Sequence, residues 1–153
     1  MATRLPPSST SSKDNDSKKI RILIVDDEYD VTITLKTILE QQEEENNNNN
    51  KTKEFEVDVF TDPEMALSNF KAGKYDLLLL DIVMPKMNGF ELYEKMKNID
   101  NKVKVCFITA YNINYDAIRD LFPTIADVDC FIRKPVEQKE LKNRIREELR
   151  RSP

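Results

Sequence analysis

The feature that most restricts the fold is a run of four leucines, Leu77 to Leu80, that stops at a single carboxylate, Asp81. An unbroken apolar run has no solvent-facing side, so as a strand it must be covered on both faces. "KIRILIVDDE" has the same form, a β-branched run that ends abruptly in Asp26 and Asp27. "VKVCFITA" is a third such run. After the first run, Val31, Leu35, Ile38 and Leu39 recur at i, i+4, i+7 and i+8, which predicts an amphipathic helix over about 28–42.

The same alternation continues along the chain. "FEVDVF" puts Phe55, Val57 and Val59 on one face and Glu56 and Asp58 on the other, the pattern of a sheet-edge strand. "TDPEMALSNF" predicts a helix capped by Asp62, with Pro63 in its first turn and Gly73 ending it. A helix in "NGFELYEKMK" starts from Asn88, and one in "YDAIRDLF" closes near Pro123. "DCFIRKP" is the last strand, and "VEQKELKNRIREELRR" the last helix, with Leu141, Ile145 and Leu149 inward. Five β-α units in succession predict a parallel sheet with helices on both faces and right-handed crossovers. The early and central strands are fully apolar and the alternating one belongs at an edge. That predicts an α/β, flavodoxin-like (βα)5 doubly wound sheet of strand order 2-1-3-4-5.

Composition sets the limits. A chain of 153 residues suits one core, here 19–151, after a polar tail at 1–18 that reads as disordered. The stretch about 42–53, with five asparagines from Asn46 to Asn50, reads as a low-complexity loop. A net charge of -4 makes no general case for nucleic acid. No apolar run nears the ~18 residues of a membrane span, and the N-terminus lacks a signal's apolar region, so a cytoplasmic protein is expected. Cys106 and Cys130 are then expected as reduced, buried thiols filling the core. The chain has no histidine, which excludes Ser-His-Asp and Cys-His mechanisms, histidine-ligated metals and a phosphohistidine carrier. Two glycines, Gly73 and Gly89, are too few for a GxxxxGK[ST] or GxGxxG phosphate loop.

Ligands of such sheets sit beyond the carboxyl ends of the strands. Those ends carry Asp26 and Asp27, Asp81, Thr109 and Lys134. Three converging carboxylates repel unless a cation joins them, and oxygen-only donors favour a hard cation such as Mg²⁺. Asp81 can then act as a nucleophile towards phosphorus, with Lys134 and Thr109 meeting the phosphate oxygens. Pro85, Asn88 and Gly89 shape the turn after Asp81 without covering it.

With "VDDE", "LLDIVMPKMNGFEL", "ITA" and "RKP" in this order, the chain resembles the receiver domains of two-component response regulators over about 19–151. The resemblance implies Asp81 as phosphoacceptor, direct Mg²⁺ binding by Asp27, water-mediated binding by Asp26, and a further metal ligand in the Val83 carbonyl. It implies Thr109 as switch hydroxyl, Lys134 as partner of the phosphoryl group, Phe131 as the aromatic that repacks, and a cis bond before Pro135. It further implies a sensor histidine kinase or phosphotransfer protein as donor. Output would pass through the face of helix 4, strand 5 and helix 5 to a partner protein, with homodimerisation on phosphorylation as another route. The expectation is thus a stand-alone response regulator, acting on neither nucleic acid nor membrane, with no enzymatic turnover beyond its own phosphotransfer and slow dephosphorylation. Two other readings remain: a Mg²⁺-dependent aspartyl-phosphate phosphatase, disfavoured because Val83 stands where a second acid is needed, and a phosphorylation-independent scaffold.

Overall fold

The computed structural model describes residues 18–42 and 53–151. Residues 1–17 of the expected tail and most of the asparagine-rich loop lie outside these residues. Five parallel strands, β1 (Ile20–Val25), β2 (Phe55–Phe60), β3 (Leu77–Asp81), β4 (Lys104–Thr109) and β5 (Phe131–Arg133), form one sheet of order β2-β1-β3-β4-β5. The helices between and after them are α1 (Tyr29–Glu40), α2 (Pro63–Asn69), α3 (Gly89–Ile99), α4 (Tyr115–Leu121) and α5 (Gln138–Arg150). A 3-10 turn, Pro123–Ile125, follows α4.

The leucine run behaves as its composition demands. Leu77 to Leu80 have no exposed surface, and β3 pairs with β1 on one side and β4 on the other. Leu77 and Leu79 join Leu35 and Leu39 of α1 and Leu141 and Ile145 of α5. Leu78 and Leu80 join Ala66 of α2 and Phe90, Tyr93 and Met96 of α3. Each such side chain contributes about 2 kcal/mol by burial. Alternation in β2 is also as expected: Phe55 and Val57 are buried, Glu56 and Asp58 are exposed, and the strand lies at the edge.

Local capping chemistry sets the helix starts. Asp62 accepts from the Glu64 amide at 2.9 Å with Pro63 in the first turn, and Asn88 accepts from the Glu91 amide at 2.9 Å. Asn114 caps α4 in the same way, through the Ala117 amide at 3.2 Å. The predicted role of Gly73 is corrected: α2 ends earlier, at Asn69. Gly73 sits in the following turn at φ 77°, where its amide donates to Asp100 at 2.9 Å. Here a left-handed turn, and not the helix end, requires glycine.

The cysteines require a second correction. Cys106 and Cys130, expected as reduced thiols, form a disulfide. Phe107 pairs with Phe131 in register, so the residues just before them are neighbours, with Cα atoms 4.6 Å apart. Parallel neighbours in register point to one face, and both cysteines lie in the core beneath α1 and α5. Cα atoms at that separation fall in the roughly 4.4–6.8 Å range that a disulfide spans.

Candidate functional site

Strand order brings the carboxyl ends of β1, β3, β4 and β5 to one edge of the sheet. Asp26 and Asp27 follow β1, Asp81 ends β3, Thr109 ends β4, and Lys134 follows β5. One carboxylate oxygen from each of Asp26, Asp27 and Asp81 lies within 4.8 Å of the others. Asp26 and Asp81 are buried and Asp27 is exposed. Lys134 Nζ lies 2.5 Å from Asp26 Oδ2 and 3.7 Å from Asp81 Oδ2. The Lys134 amide donates to the Thr109 carbonyl at 2.8 Å, and the Lys134–Pro135 bond is cis.

Two acids just ahead of a helix could instead serve as its N-cap. The residue at that cap is Glu28, which makes no side-chain cap bond. Asp26 accepts instead from the Glu28 amide at 2.9 Å, which orients its carboxylate at the strand end. Thr109 is fully buried, and its hydroxyl oxygen accepts from the Tyr111 amide at 3.1 Å. Lys134 is not a solvated strand-end lysine, since its side chain is only 17% exposed.

The turn after Asp81 is held close to the strand. The Ile82 amide donates to Ile108 and the Gly89 amide to the Ile82 carbonyl, at 3.2 and 2.9 Å. A Cβ on Gly89 would collide with the Asp81 carbonyl oxygen, so glycine is needed there for close approach. Lys86, in the same turn, adopts φ 70° and pairs with Asp62 at 3.5 Å. Val83 and Tyr111 flank the site with exposed side chains.

Charge within the site is unbalanced. Burial first, and then the Asp26 carboxylate, push Asp81 up to about 6, although Lys134 and the Val83 amide oppose this. Burial works against the Lys134 ammonium, but Asp26, Asp81 and Glu28 outweigh it and hold that group above its ordinary value. Glu28 was not singled out by sequence reasoning, although "VDDE" carried it.

Phe131 is half-buried beside the site. Its ring centroid lies 5.6 Å from that of Phe107 and 4.1 Å from that of Tyr115, and the Arg119 guanidinium lies 5.7 Å from it. Tyr115 and Arg119 were missed by sequence reasoning. Their i, i+4 spacing on α4 was the available signal.

Residues 22–146 match the family model of the response regulator receiver domain. The chain belongs to this family. The receiver domain is 30% identical over 133 residues to the transcriptional regulatory protein DltR of Streptococcus agalactiae, covering 87% of this chain and 53% of DltR. It is 32% identical to the response regulator ArlR of Staphylococcus saprophyticus, over 87% of this chain and 54% of ArlR. The chain spans about half the length of the curated relatives it matches. Several of these are named transcriptional regulators and one a DNA-binding response regulator. The expectations of a stand-alone protein and of no nucleic-acid partner therefore gain no support from them. Among solved structures, a CheY-like receiver domain protein of Methanospirillum hungatei aligns with a TM-score of 0.69 at 30% identity, over 86% of this chain and 94% of that one. The non-phosphorylated HemR receiver domain of Leptospira biflexa aligns with a TM-score of 0.69 at 26% identity, over 88% of this chain and 98% of that one.

Proposed function

We propose that this receiver domain accepts a phosphoryl group on Asp81 in a Mg²⁺-dependent reaction and signals by a change of shape. One observation carries this reading: three carboxylates within 4.8 Å of one another, with an ammonium 3.7 Å from Asp81. The donors are all oxygens, which suits a hard cation. Asp27, Asp81 and the Val83 carbonyl would hold Mg²⁺ directly, and Asp26 mainly through water. When bound, the ion would offset the charge that gathers on the phosphoryl oxygens.

The chain's own groups do the rest. An Asp81 carboxylate oxygen attacks phosphorus, the bond from phosphorus to the donor breaks, and the leaving group keeps the electron pair. The product is an acyl phosphate. Lys134 pairs with one phosphoryl oxygen, and the Thr109 hydroxyl turns to donate to another. The movement of Thr109 opens space for Phe131, and the α4–β5–α5 face is reshaped for a partner protein or a second copy. The phosphodonor is a histidine kinase or phosphotransfer protein, because this chain has no histidine of its own. Turnover is limited to this self-phosphotransfer and to slow loss of the phosphoryl group, since Val83 and Tyr111 crowd the line of water attack.

The test is intact mass after incubation with acetyl phosphate, with and without Mg²⁺, on wild type and Asp81→Asn. A single phosphoryl adduct that needs both Mg²⁺ and Asp81 is expected, with a lifetime of minutes or longer. No adduct under any condition would overturn the reading in favour of a phosphorylation-independent scaffold. A half-life of seconds would remove the roles given to Val83 and Tyr111.

A further inference from the structure

We propose that Cys106 and Cys130 form a reversible dithiol–disulfide pair whose state sets how firmly β5, and with it Phe131 and Lys134, is held against β4. The bond joins residues 24 apart in sequence, and the chain between them includes the whole of α4. Cys130 directly precedes β5, and Lys134 directly follows it. The covalent link and the site's ammonium therefore lie at the two ends of one short strand.

Its side chains are packed, with Ile132 in the core and Phe131 against Phe107 and Tyr115, but its backbone ladder is short. It has three residues, lies at the sheet edge, and pairs only with Phe107 to Thr109. The Phe107 amide donates to the Cys130 carbonyl at 2.9 Å, and the Lys134 amide to the Thr109 carbonyl at 2.8 Å. A three-residue edge strand, with ladder bonds on one side, can open locally before the whole domain unfolds. Local opening also answers the question of access, because both sulfurs are buried in the closed fold. Sequence proximity does not create this pair; register does, which makes it a property of β5 being docked.

The redox step needs a small disulfide as oxidant. One cysteine thiolate attacks it, forming a mixed disulfide and releasing one thiolate. The second cysteine thiolate then attacks the protein-bound sulfur and releases the other. Two protein thiols are oxidised, one external disulfide is reduced to two thiols, and the two protons pass to the thiolates released. A dithiol reductant reverses both steps. Oxidation closes the loop through α4, so the opened state of β5 loses entropy and is less populated. The effect on signalling rests on the proposed phosphorylation of Asp81: with β5 held closed, Lys134 stays beside Asp81, and phosphoryl acceptance is faster in the oxidised form.

The experiment uses the full chain equilibrated in buffers of oxidised and reduced glutathione. Free thiols are trapped under denaturing conditions and counted by intact mass, and amide exchange of the β5 segment is measured in both end states. The expected result is loss of both thiols within a single chain, reversal by dithiothreitol, and exchange in β5 about tenfold or more faster after reduction. In Cys130→Ala, exchange should cease to respond to glutathione. Should that variant not fold, the wild-type titration still decides. Two free thiols in every buffer, a bond between chains, or equal β5 exchange in both states would overturn the proposal. The rate of adduct formation from acetyl phosphate is then compared in the two states. Equal rates would overturn the coupling to signalling. No adduct in either state would count against phosphorylation while leaving the thiol count and the exchange result to stand.

Discussion

Lys134 Nζ lies 3.7 Å from Asp81 Oδ2, reaching it from a strand two places across the sheet. The same ammonium is closer to Asp26, at 2.5 Å. One cation thus serves two buried carboxylates, with a third acid, Asp27, beside them. Asp81 loses more by burial and by the Asp26 charge than Lys134 returns, and its carboxyl is pushed up to about 6.

That imbalance gives metal-free stability a definite pH dependence. A carboxyl raised in the folded state favours folding while protonated, so its contribution is full below about pH 4 and is lost as pH rises through 6. At neutral pH the ionised group costs about 3 kcal/mol. Asp81→Asn, neutral and similar in shape, should gain stability of that order at neutral pH and almost none below about pH 4. Urea denaturation of both proteins without metal, at the two pH values, measures the difference. An equal gain at both would show that ionisation of Asp81 is not the cause.

Binding of a divalent cation should relieve the same repulsion. Wild type should melt at higher temperature as Mg²⁺ is added, by roughly 2.7 kcal/mol at a hundredfold excess over the dissociation constant. Asp27 is exposed, so Asp27→Asn should keep the fold and weaken this response. Thermal melts against Mg²⁺ concentration test both. A wild-type melt that ignores Mg²⁺ would argue against a cation site at the three acids.

The two glycines should respond to alanine in different ways. At Gly89 a Cβ meets the Asp81 carbonyl, which is backbone and cannot rotate aside. Gly89→Ala should cost about 1–3 kcal/mol and displace the strand end, so phosphoryl acceptance falls further than stability alone explains. At Gly73 there is open space but φ is 77°. Gly73→Ala should cost about 1 kcal/mol and leave the site unaffected. Denaturant midpoints and adduct rates of the two variants separate clash from backbone strain.

Helix α4 should be the most labile of the helices near the site. It has seven residues, none of them buried, and a helix that short does not persist unaided. Its anchor is Phe131, beneath Tyr115 and Arg119. Amide exchange in α4 should be faster than in α3 or α5, and Phe131→Ala should speed it by about tenfold. Equal protection of α3 and α4 would contradict the lability of α4, and unchanged α4 exchange in Phe131→Ala would contradict the anchoring role of Phe131.

Much of this was legible in the residues because the relevant physics is local. Unbroken apolar runs marked the buried strands β1, β3 and β4, alternation marked the edge strand β2, and helical spacing marked α1 and α5. Asp62 and Asn88 announced helix starts because a cap bonds to amides two or three residues away. Polar residues at the ends of apolar runs pointed to Asp26, Asp27, Asp81, Thr109 and Lys134, which the parallel sheet then brings to one edge. What the sequence left open, or at the cysteines misjudged, depends on segments distant along the chain. The disulfide follows from the register of β4 on β5, and the need for glycine at position 89 from the approach of a helix to the Asp81 carbonyl. The division of Lys134 between Asp26 and Asp81 follows from strand order and burial together. Periodicity and capping act over a few residues and can be read from the chain directly; register, close approach and the strength of a charge in a buried site exist only once the strands are assembled.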